Sequence, residues 1–456
     1  MLSAVNRRTF LAGAASVLAG ARRVSARGQA QRPRPTAAQL AWQRDELALF
    51  IHFGVNTFTD REWGDGREDP AIFAPASLDA RQWARAARAG GCRAMVLTAK
   101  HHDGFCLWPT RTTPHSVARS PWRGGRGDVV RELVDACRAE GLRPGVYLSP
   151  WDRNNPYYGD SPRYNDLYCD QLTELLTQYG PMAEVWFDGA NGEGPNGRRQ
   201  QYDWPRVWAL VRTLQPGAVM FSDAGPDVRW NGNERGTAGD PNWSTVDPAR
   251  VPYPGMSGAG IIDALQHGDP DGSVWRPAEA DVSIRPGWFY HPADDGRVRT
   301  IDGLVDLYFR SVGQNAKLLL NVPPTRDGLL HQTDVARLAG FQDRLRALFA
   351  TDLARGRRAD WRAMSSTTAV AEIDLGRPTS FGVVRLGEDI SRGQVVARHT
   401  ISVSDGGGWR ELARGTTIGY MRLTRAEAAG ARALRVTVDD AVGPPEPLSV
   451  GIYAGP

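Results

Sequence analysis

The sequence predicts an α/β fold: a (β/α)8-like TIM barrel followed by a C-terminal β-sandwich. Two observations carry the barrel. Short continuous apolar runs alternate with amphipathic stretches of helical period from about residue 40 to 345, and such runs belong to parallel strands covered by helices on both faces. No Gly-x-Gly-x-x-Gly follows the first run, which counts against a doubly wound dinucleotide fold. A third observation carries the sandwich: beyond about residue 355 the chain turns to short alternating strands separated by Gly turns.

Taken in order, the chain opens on a targeting segment. Asn6-Arg7-Arg8-Thr9-Phe10-Leu11 precedes an Ala/Gly/Leu/Val run and then Val24-Ser25-Ala26. A basic start, a short apolar stretch and a small-x-small site read as an export signal of twin-arginine type over residues 1–26. The apolar run is roughly 12 residues where a spanning helix needs about 20, so stable membrane insertion is not expected. The barrel is assigned to residues 27–354 and the sandwich to 355–456. Barrel strands are predicted at Leu49–Phe53, Ala94–Thr98, Pro144–Ser149, Glu184–Asp188, Val219–Asp223 and Leu318–Val322. Helices are predicted at Leu78–Ala89, Val129–Glu140, Leu167–Tyr179, Trp204–Leu214, Leu304–Val312 and Gln332–Leu353. Strands of the second domain are predicted at Ala369–Asp374, Phe381–Leu386, Thr400–Val403, Ala433–Val438 and Leu448–Tyr453.

Composition narrows the classes of function. The 456 residues are 41% hydrophobic and 23% charged, an ordinary globular balance with length for a large core. Lys and Arg total 55 against 51 Asp and Glu, too even for a nucleic-acid footprint. Nearly all the cations are Arg; Lys100 and Lys317 stand out as the two lysines. Cys92, Cys106, Cys137 and Cys169 form no C-x-x-C pair, so zinc-ribbon and thioredoxin-like readings fail and buried free thiols are expected. Fifteen Trp offer flat faces of the kind sugar rings stack on, or simply core filling.

A (β/α) barrel carries its chemistry at the C-terminal ends of its strands. There the sequence places His52, the run Lys100-His101-His102-Asp103, Tyr147, Asp188, the run Arg229-Trp230-Asn231-Gly232-Asn233-Glu234, and Trp288. A carboxylate ending an apolar strand is costly to bury without a partner or a task. Asp188 and Glu234 lie one βα unit apart, and paired carboxylates among aromatic and histidine side chains suit glycoside hydrolysis. Structural alternatives stand beside this. Asp188 can be a cap or turn residue, Glu234 one arm of a salt bridge with Arg229 or Arg235, and His52 a core histidine. His101 and His102 face opposite sides of a regular strand, and share the cleft only if the backbone bends after Lys100. His52, His101, His102 and Asp188 could also hold a divalent ion, although His-x-His and His-Glu-x-x-His are both absent.

These segments resemble the α-L-fucosidases of glycoside hydrolase family 29. The likeness rests on Phe50-Ile-His52-Phe-Gly54, Glu62-Trp63-Gly64, Thr98-Ala-Lys100-His101-His102-Asp103-Gly-Phe105, Trp186-Phe-Asp188-Gly189 and Leu319-Leu-Asn321-Val-Pro-Pro324. The resemblance implies a retaining, exo-acting α-L-fucosidase that releases terminal fucose from fucosylated oligosaccharides or glycoconjugates, without cofactor or metal. It implies Asp188 as nucleophile and Glu234 as acid/base. It further implies contacts to fucose from His52, Glu62, Trp63, His101, His102, Tyr147, Trp186, Arg229 and Trp288. The runs Arg229–Glu234 and Ser283-Ile-Arg285-Pro-Gly-Trp288-Phe-Tyr290-His291 resemble the subfamily that prefers α-1,3 and α-1,4 linkages. In the second domain, Glu388-Asp-Ile-Ser-Arg-Gly-Gln394 and Thr417-Ile-Gly-Tyr420 share the likeness. The third-strand run Tyr147-Leu-Ser-Pro-Trp151-Asp152 departs from the family's Tyr-Tyr-Ser type. Two other classes are carried forward: an inactive barrel that binds fucosylated glycans, and a metal-dependent hydrolase.

Overall fold

The computed structural model describes residues 32–455; the expected export signal lies outside them. Eight parallel strands close into a barrel: β1 (Leu47–Ile51), β2 (Ala94–Lys100), β3 (Arg143–Leu148), β4 (Glu184–Trp186), β5 (Val219–Ser222), β6 (Val228–Trp230), β7 (Ala278–Ser283) and β8 (Ala316–Asn321). Neighbours pair in chain order and β8 closes on β1, with Leu49 opposite Leu320. The surrounding helices are α1 (Ala37–Arg44), α2 (Ala80–Ala89), α3 (Val129–Glu140), α4 (Ser161–Gln178), α5 (Trp204–Leu214), α6 (Ala259–His267), α7 (Ile301–Arg310) and α8 (Gln332–Leu348).

Helix starts are chemically marked. Asp79, Asp128 and Asp203 cap α2, α3 and α5 by accepting from Arg81, Arg131 and Arg206 backbone N–H groups, each cap being worth about 0.5–2 kcal/mol. Trp83, Leu133, Leu172 and Leu175 are fully buried against the strands, at about 1.5–3 kcal/mol per side chain. α1 plugs the bottom of the barrel: a Thr36/Gln39 capping box starts it, and Trp42 clusters with the interior residues Ala48, Phe50 and Tyr147.

The apolar runs predict six of these strands, and the structure adds β6 and β7. The reason for β7 is visible in its composition. Ala278, Ala280 and Val282 pack outward, while Glu279 and Asp281 bond to Trp186 and Trp230 inside the barrel, so no continuous apolar run forms. β5 and β6 are joined by residues 223–227 without a helix. α4 begins at Ser161 rather than Leu167, because the polar stretch ahead of Leu167 carries Tyr164, which is fully buried.

The second domain is one antiparallel sheet of β9 (Ala359–Ala363), β10 (Ala369–Gly387), β11 (Val396–Ser404), β12 (Arg410–Gly415), β13 (Arg422–Ala441) and β14 (Ser449–Tyr453), in the order β9-β10-β13-β11-β12 with β14 on β10. The two expected strands at 369–374 and 381–386 are a single strand. Register shifts between Asp374 and Val383 bend β10 against β13, as bulges do. Both halves thereby share one core, with Ile373 and Val436 from one and Val384 and Ile452 from the other. The sheet docks on the barrel through Val383, Met421, Leu423 and Tyr453, which join the barrel's apolar core, and through polar contacts. Glu46 accepts from Tyr308 and Tyr420 hydroxyls at 2.6 and 2.7 Å, Arg422 makes two 2.9 Å bonds to Asp240, and Gln394 bonds Ser244 N–H and Asn242 C=O.

Candidate active site

Asp188 sits just past β4. Its Oδ2 accepts from the Tyr147 hydroxyl at 3.0 Å, with His102 Nε2 at 3.7 Å, and its Oδ1 accepts from Ala190 N–H at 2.7 Å. Burial first, and then the Asp188 charge and bond, keep the Tyr147 phenol well above its ordinary range, so it stays a donor. Gly189 is required here: a Cβ would collide with Asp223 Oδ2. No helix follows Asp188, so it is no helix cap, although its Oδ1 bond to Ala190 N–H does close a turn. It is a partly open carboxylate held by neutral donors.

The strand β2 answers the question of the vicinal histidines. Its register with β3 shifts between Thr98 and Lys100, and the shift turns Lys100 outward to Asp152, Tyr164 and Gln171 at 3.0–3.1 Å. Asp103 Oδ1 then accepts from Phe105 N–H at 2.7 Å, turning the chain at Gly104. Gly104 has φ +82, and a Cβ there would meet Asp152. With the backbone bent, the His101 and His102 rings lie 4.1 Å apart on one side. His101 faces His52, Tyr147 and Phe289; His102 faces Trp63 and Trp151.

The hydrogen-bond network assigns the tautomers. Ser149 Oγ donates to Trp151 C=O at 2.7 Å, so it accepts from His102 Nδ1 at 2.7 Å. Asn321 Nδ2 donates to Ser283 and to Trp288 C=O, so its Oδ1 accepts from His52 Nδ1 at 2.8 Å. Both rings are then left with a bare Nε2. Burial pushes His52 down to about 3 against the Asn321 bond. Burial also lowers His101, with His102 and His52 adding to it, and lowers His102 against the pull of Asp188. His101 Nδ1 is buried without a hydrogen bond, with Asp103 Oδ2 at 4.0 Å. Neutral imidazoles with free nitrogens are acceptors for hydroxyl groups, and a buried unpaired nitrogen favours a polar ligand.

Glu234 follows β6 on a loop pinned by Asn231 and Asn233, each donating to Thr237 C=O at 2.9 Å. The residue is exposed at the cleft mouth, and Trp288 Nε1 donates to its Oε2 at 3.3 Å. Desolvation raises the Glu234 carboxyl against that bond, and the charges of Asp188 and Glu62 raise it further. Two carboxyl groups in one cleft thus differ in surroundings, one held by donors and one biased toward its acid form.

The remaining expected contacts divide. Trp288 is tilted over His52 at 5.0 Å, and Glu62 accepts from Trp288 and Phe289 N–H at 2.8 and 3.1 Å. Trp63 stands 58% exposed at the rim. Trp186 lies deeper, stacked on Phe221 at 4.2 Å with its Nε1 bonded to Glu279. Arg229 is a correction. Strand alternation turns Val228 and Trp230 inward and Arg229 outward. Its guanidinium is buried on Leu265 and Arg276 carbonyls and Asn242 Oδ1, so it neither reaches the cleft nor pairs with Glu234. Burial lowers it to about 9 against the Asp269 charge. Among the described residues, no group of His, Cys, Asp and Glu is arranged to hold a metal ion, and the four cysteines are buried free thiols.

Sequence reasoning passes over Asp281. It is buried on β7, accepts from Trp230 Nε1 at 2.8 Å, and is raised well above its usual range by burial and then by the Glu234 charge. Its signal is an acid inside a strand too polar to be read as one. Asn321 lies in a run that the sequence singles out, but neither its bond to His52 nor that of Ser149 to His102 is legible there.

Residues 68–347 match the Alpha-L-fucosidase family. Alpha-L-fucosidase 1 of Arabidopsis thaliana is 40% identical over 450 residues, which is 92% of this chain and 87% of that protein. A glycoside hydrolase 29 family member from an unknown rumen bacterium has a TM-score of 0.86 at 41% identity, covering 93% of this chain and 78% of that one. A Ruminococcus gnavus GH29 fucosidase in complex with fucose has a TM-score of 0.84 at 32% identity, over 94% of this chain and 97% of that one.

Proposed function

The chain belongs to the alpha-L-fucosidase family, glycoside hydrolase family 29, and is an α-L-fucosidase; we propose that it removes terminal α-L-fucose with retention of configuration, using Asp188 as nucleophile and Glu234 as acid/base. Asp188 attacks the anomeric carbon while the bond to the leaving oxygen breaks, and Glu234 gives that oxygen its proton. Glu234 then takes a proton from water, the water oxygen attacks the same carbon, and the bond to Asp188 breaks. The observation that carries this reading is the contrast between the two carboxyls: Asp188 receives the Tyr147 hydroxyl, while Glu234 is raised by desolvation and by Asp188 itself. The bare Nε2 atoms of His52 and His102 accept fucose hydroxyls, as does His101. Glu62, Trp63, Tyr147, Trp186 and Trp288 complete the sugar site.

The reading is tested by Asp188→Ala with azide. The variant loses turnover, and azide restores it while yielding β-fucosyl azide; wild-type activity in the variant would overturn the assignment. We also propose a preference for α-1,3 and α-1,4 linkages, on the likeness of the Arg229–Glu234 and Ser283–His291 runs. Branched Lewis-type trisaccharides are then cleaved faster than 2-linked fucosyllactose, and the reverse order sinks the preference. Export by the twin-arginine route completes the proposal; an Arg7→Lys, Arg8→Lys variant is expected to stay in the cytoplasmic fraction.

A further inference from the structure

His291 belongs to a run that the sequence singled out, yet the proposed mechanism gives it no task. Its ring is bonded at both nitrogens: Nδ1 to Asp60 Oδ1 at 2.8 Å and Nε2 to Glu62 Oε1 at 2.6 Å. Ionised carboxylates only accept, so a ring that serves two of them donates from both nitrogens and carries a positive charge. Glu62 already accepts from Trp288 N–H at Oε2 and from Phe289 N–H at Oε1, so both of its oxygens face donors. Asp60 and Glu62 are the charged groups that face the ring. On the ring's own segment, Asp294 and Asp295 are turned to Arg297 and Arg285. Burial would lower His291, but its bonds to Asp60 and Glu62 outweigh that and raise it.

We propose that His291 is a positioning residue: as an imidazolium it staples the loop after β1 to the loop after β7, and so holds Trp288 against Glu234. The connection is continuous. His291 fixes Glu62, Glu62 fixes the Trp288 and Phe289 backbone, Asn321 holds the Trp288 carbonyl at 2.8 Å, and the Trp288 indole reaches Glu234 at 3.3 Å. Loss of one ring proton breaks one of the two links, because a neutral imidazole has a single N–H. The staple is therefore closed below the raised value of His291 and opens as pH rises through it. Small displacements of a catalytic group are expensive, about 10²-fold for 1 Å. The proposal rests on Glu234 as acid/base, and its test is arranged to fail separately from that assignment.

The experiment combines histidine ring NMR of the wild-type enzyme with pH profiles of His291→Gln and Asp60→Asn. The NMR is expected to show a charged histidine at pH 7 whose signal is absent from His291→Gln; a neutral His291 at that pH overturns the proposal. In the profiles of kcat on a fucosylated oligosaccharide, Asp60→Asn moves the alkaline limb to lower pH by removing one of the two stabilising carboxylates. His291→Gln lowers kcat by roughly 10–100-fold and abolishes that shift. Unmoved alkaline limbs in both variants would also overturn it. Glu234→Ala is run in parallel on substrates with good and poor leaving groups. Equal losses there strike the acid/base assignment, whatever the state of His291.

Discussion

Two carboxyl pairs occupy the same barrel, one above the other, and their difference separates structure from chemistry. At the mouth, Asp188 and Glu234 have only neutral donors in contact: Tyr147, Ala190 N–H and the Trp288 indole. At the floor, Glu184 and Glu279 share Lys317, whose Nζ is 3.0 Å from one and 3.8 Å from the other. Trp42 and Trp186 donate to them at 3.0 Å each. One lysine balances one carboxylate. Burial, followed by the charge of Glu184, raises Glu279 well above its usual range, which favours its protonated form beside the Lys317–Glu184 pair. A carboxylate with a cation is fixed and silent. One held by neutral donors keeps its charge available for reaction.

The comparison can be broken most severely at the mouth. Asp188→Ala is expected to lower kcat/KM by on the order of 10⁴-fold or more, with little change in thermal midpoint; the reverse pattern would place the chemistry elsewhere. Glu234→Ala is expected to cost about 10²–10⁴-fold on a natural glycan and less on an aryl fucoside, read as kcat/KM on both. At the floor, Lys317→Met leaves two buried carboxyls without their cation. Urea unfolding should show a loss of about 3–5 kcal/mol.

Two pH effects sharpen the contrast. The mouth histidines are lowered by burial, His52 from 6.5 to about 3, so between those two values the unfolded chain binds protons that the folded one refuses. Stability therefore falls as pH drops through this window, measurable as a falling thermal midpoint. Glu279 has the opposite sign. Its raised carboxyl contributes stability below its unfolded value of 4.5 that is lost as pH rises through the folded value. Glu279→Gln, which keeps an acceptor for Trp186 and needs no proton, should stay within about 1 kcal/mol of wild type and show a flatter decline on the alkaline side.

The barrel is legible because six of its strands are continuous apolar runs, and the helices between them keep a clean 3.6-residue period. What escapes is polarity turned inward. β7 alternates Ala with Glu279 and Asp281, and its acids hide a strand whose side chains hold the Trp186 and Trp230 indoles. The site motifs stand out as short runs, yet their geometry does not. Nothing in the letters Lys100-His101-His102 reveals that a register shift at Thr98 brings both histidines to one side. Arg229 reads as a cleft residue because it sits in the same run as Glu234. Only strand alternation, once β6 is recognised, turns it outward. The bent β10 reads as two strands because Gly376-Arg377-Pro378 looks like a turn that ends one strand before the next begins.

Arg229 also has a practical consequence for anyone transplanting loops between such enzymes. Its three anchors, at Leu265, Arg276 and Asn242, span the whole stretch that follows the Glu234 loop and leads into β7. The stretch is fastened at that buried guanidinium and, through Asn242 and Ser244, at Asn315 and Gln394. A graft that carries the loop without the residues from Asn242 to Arg276 leaves a guanidinium buried with nothing to hold.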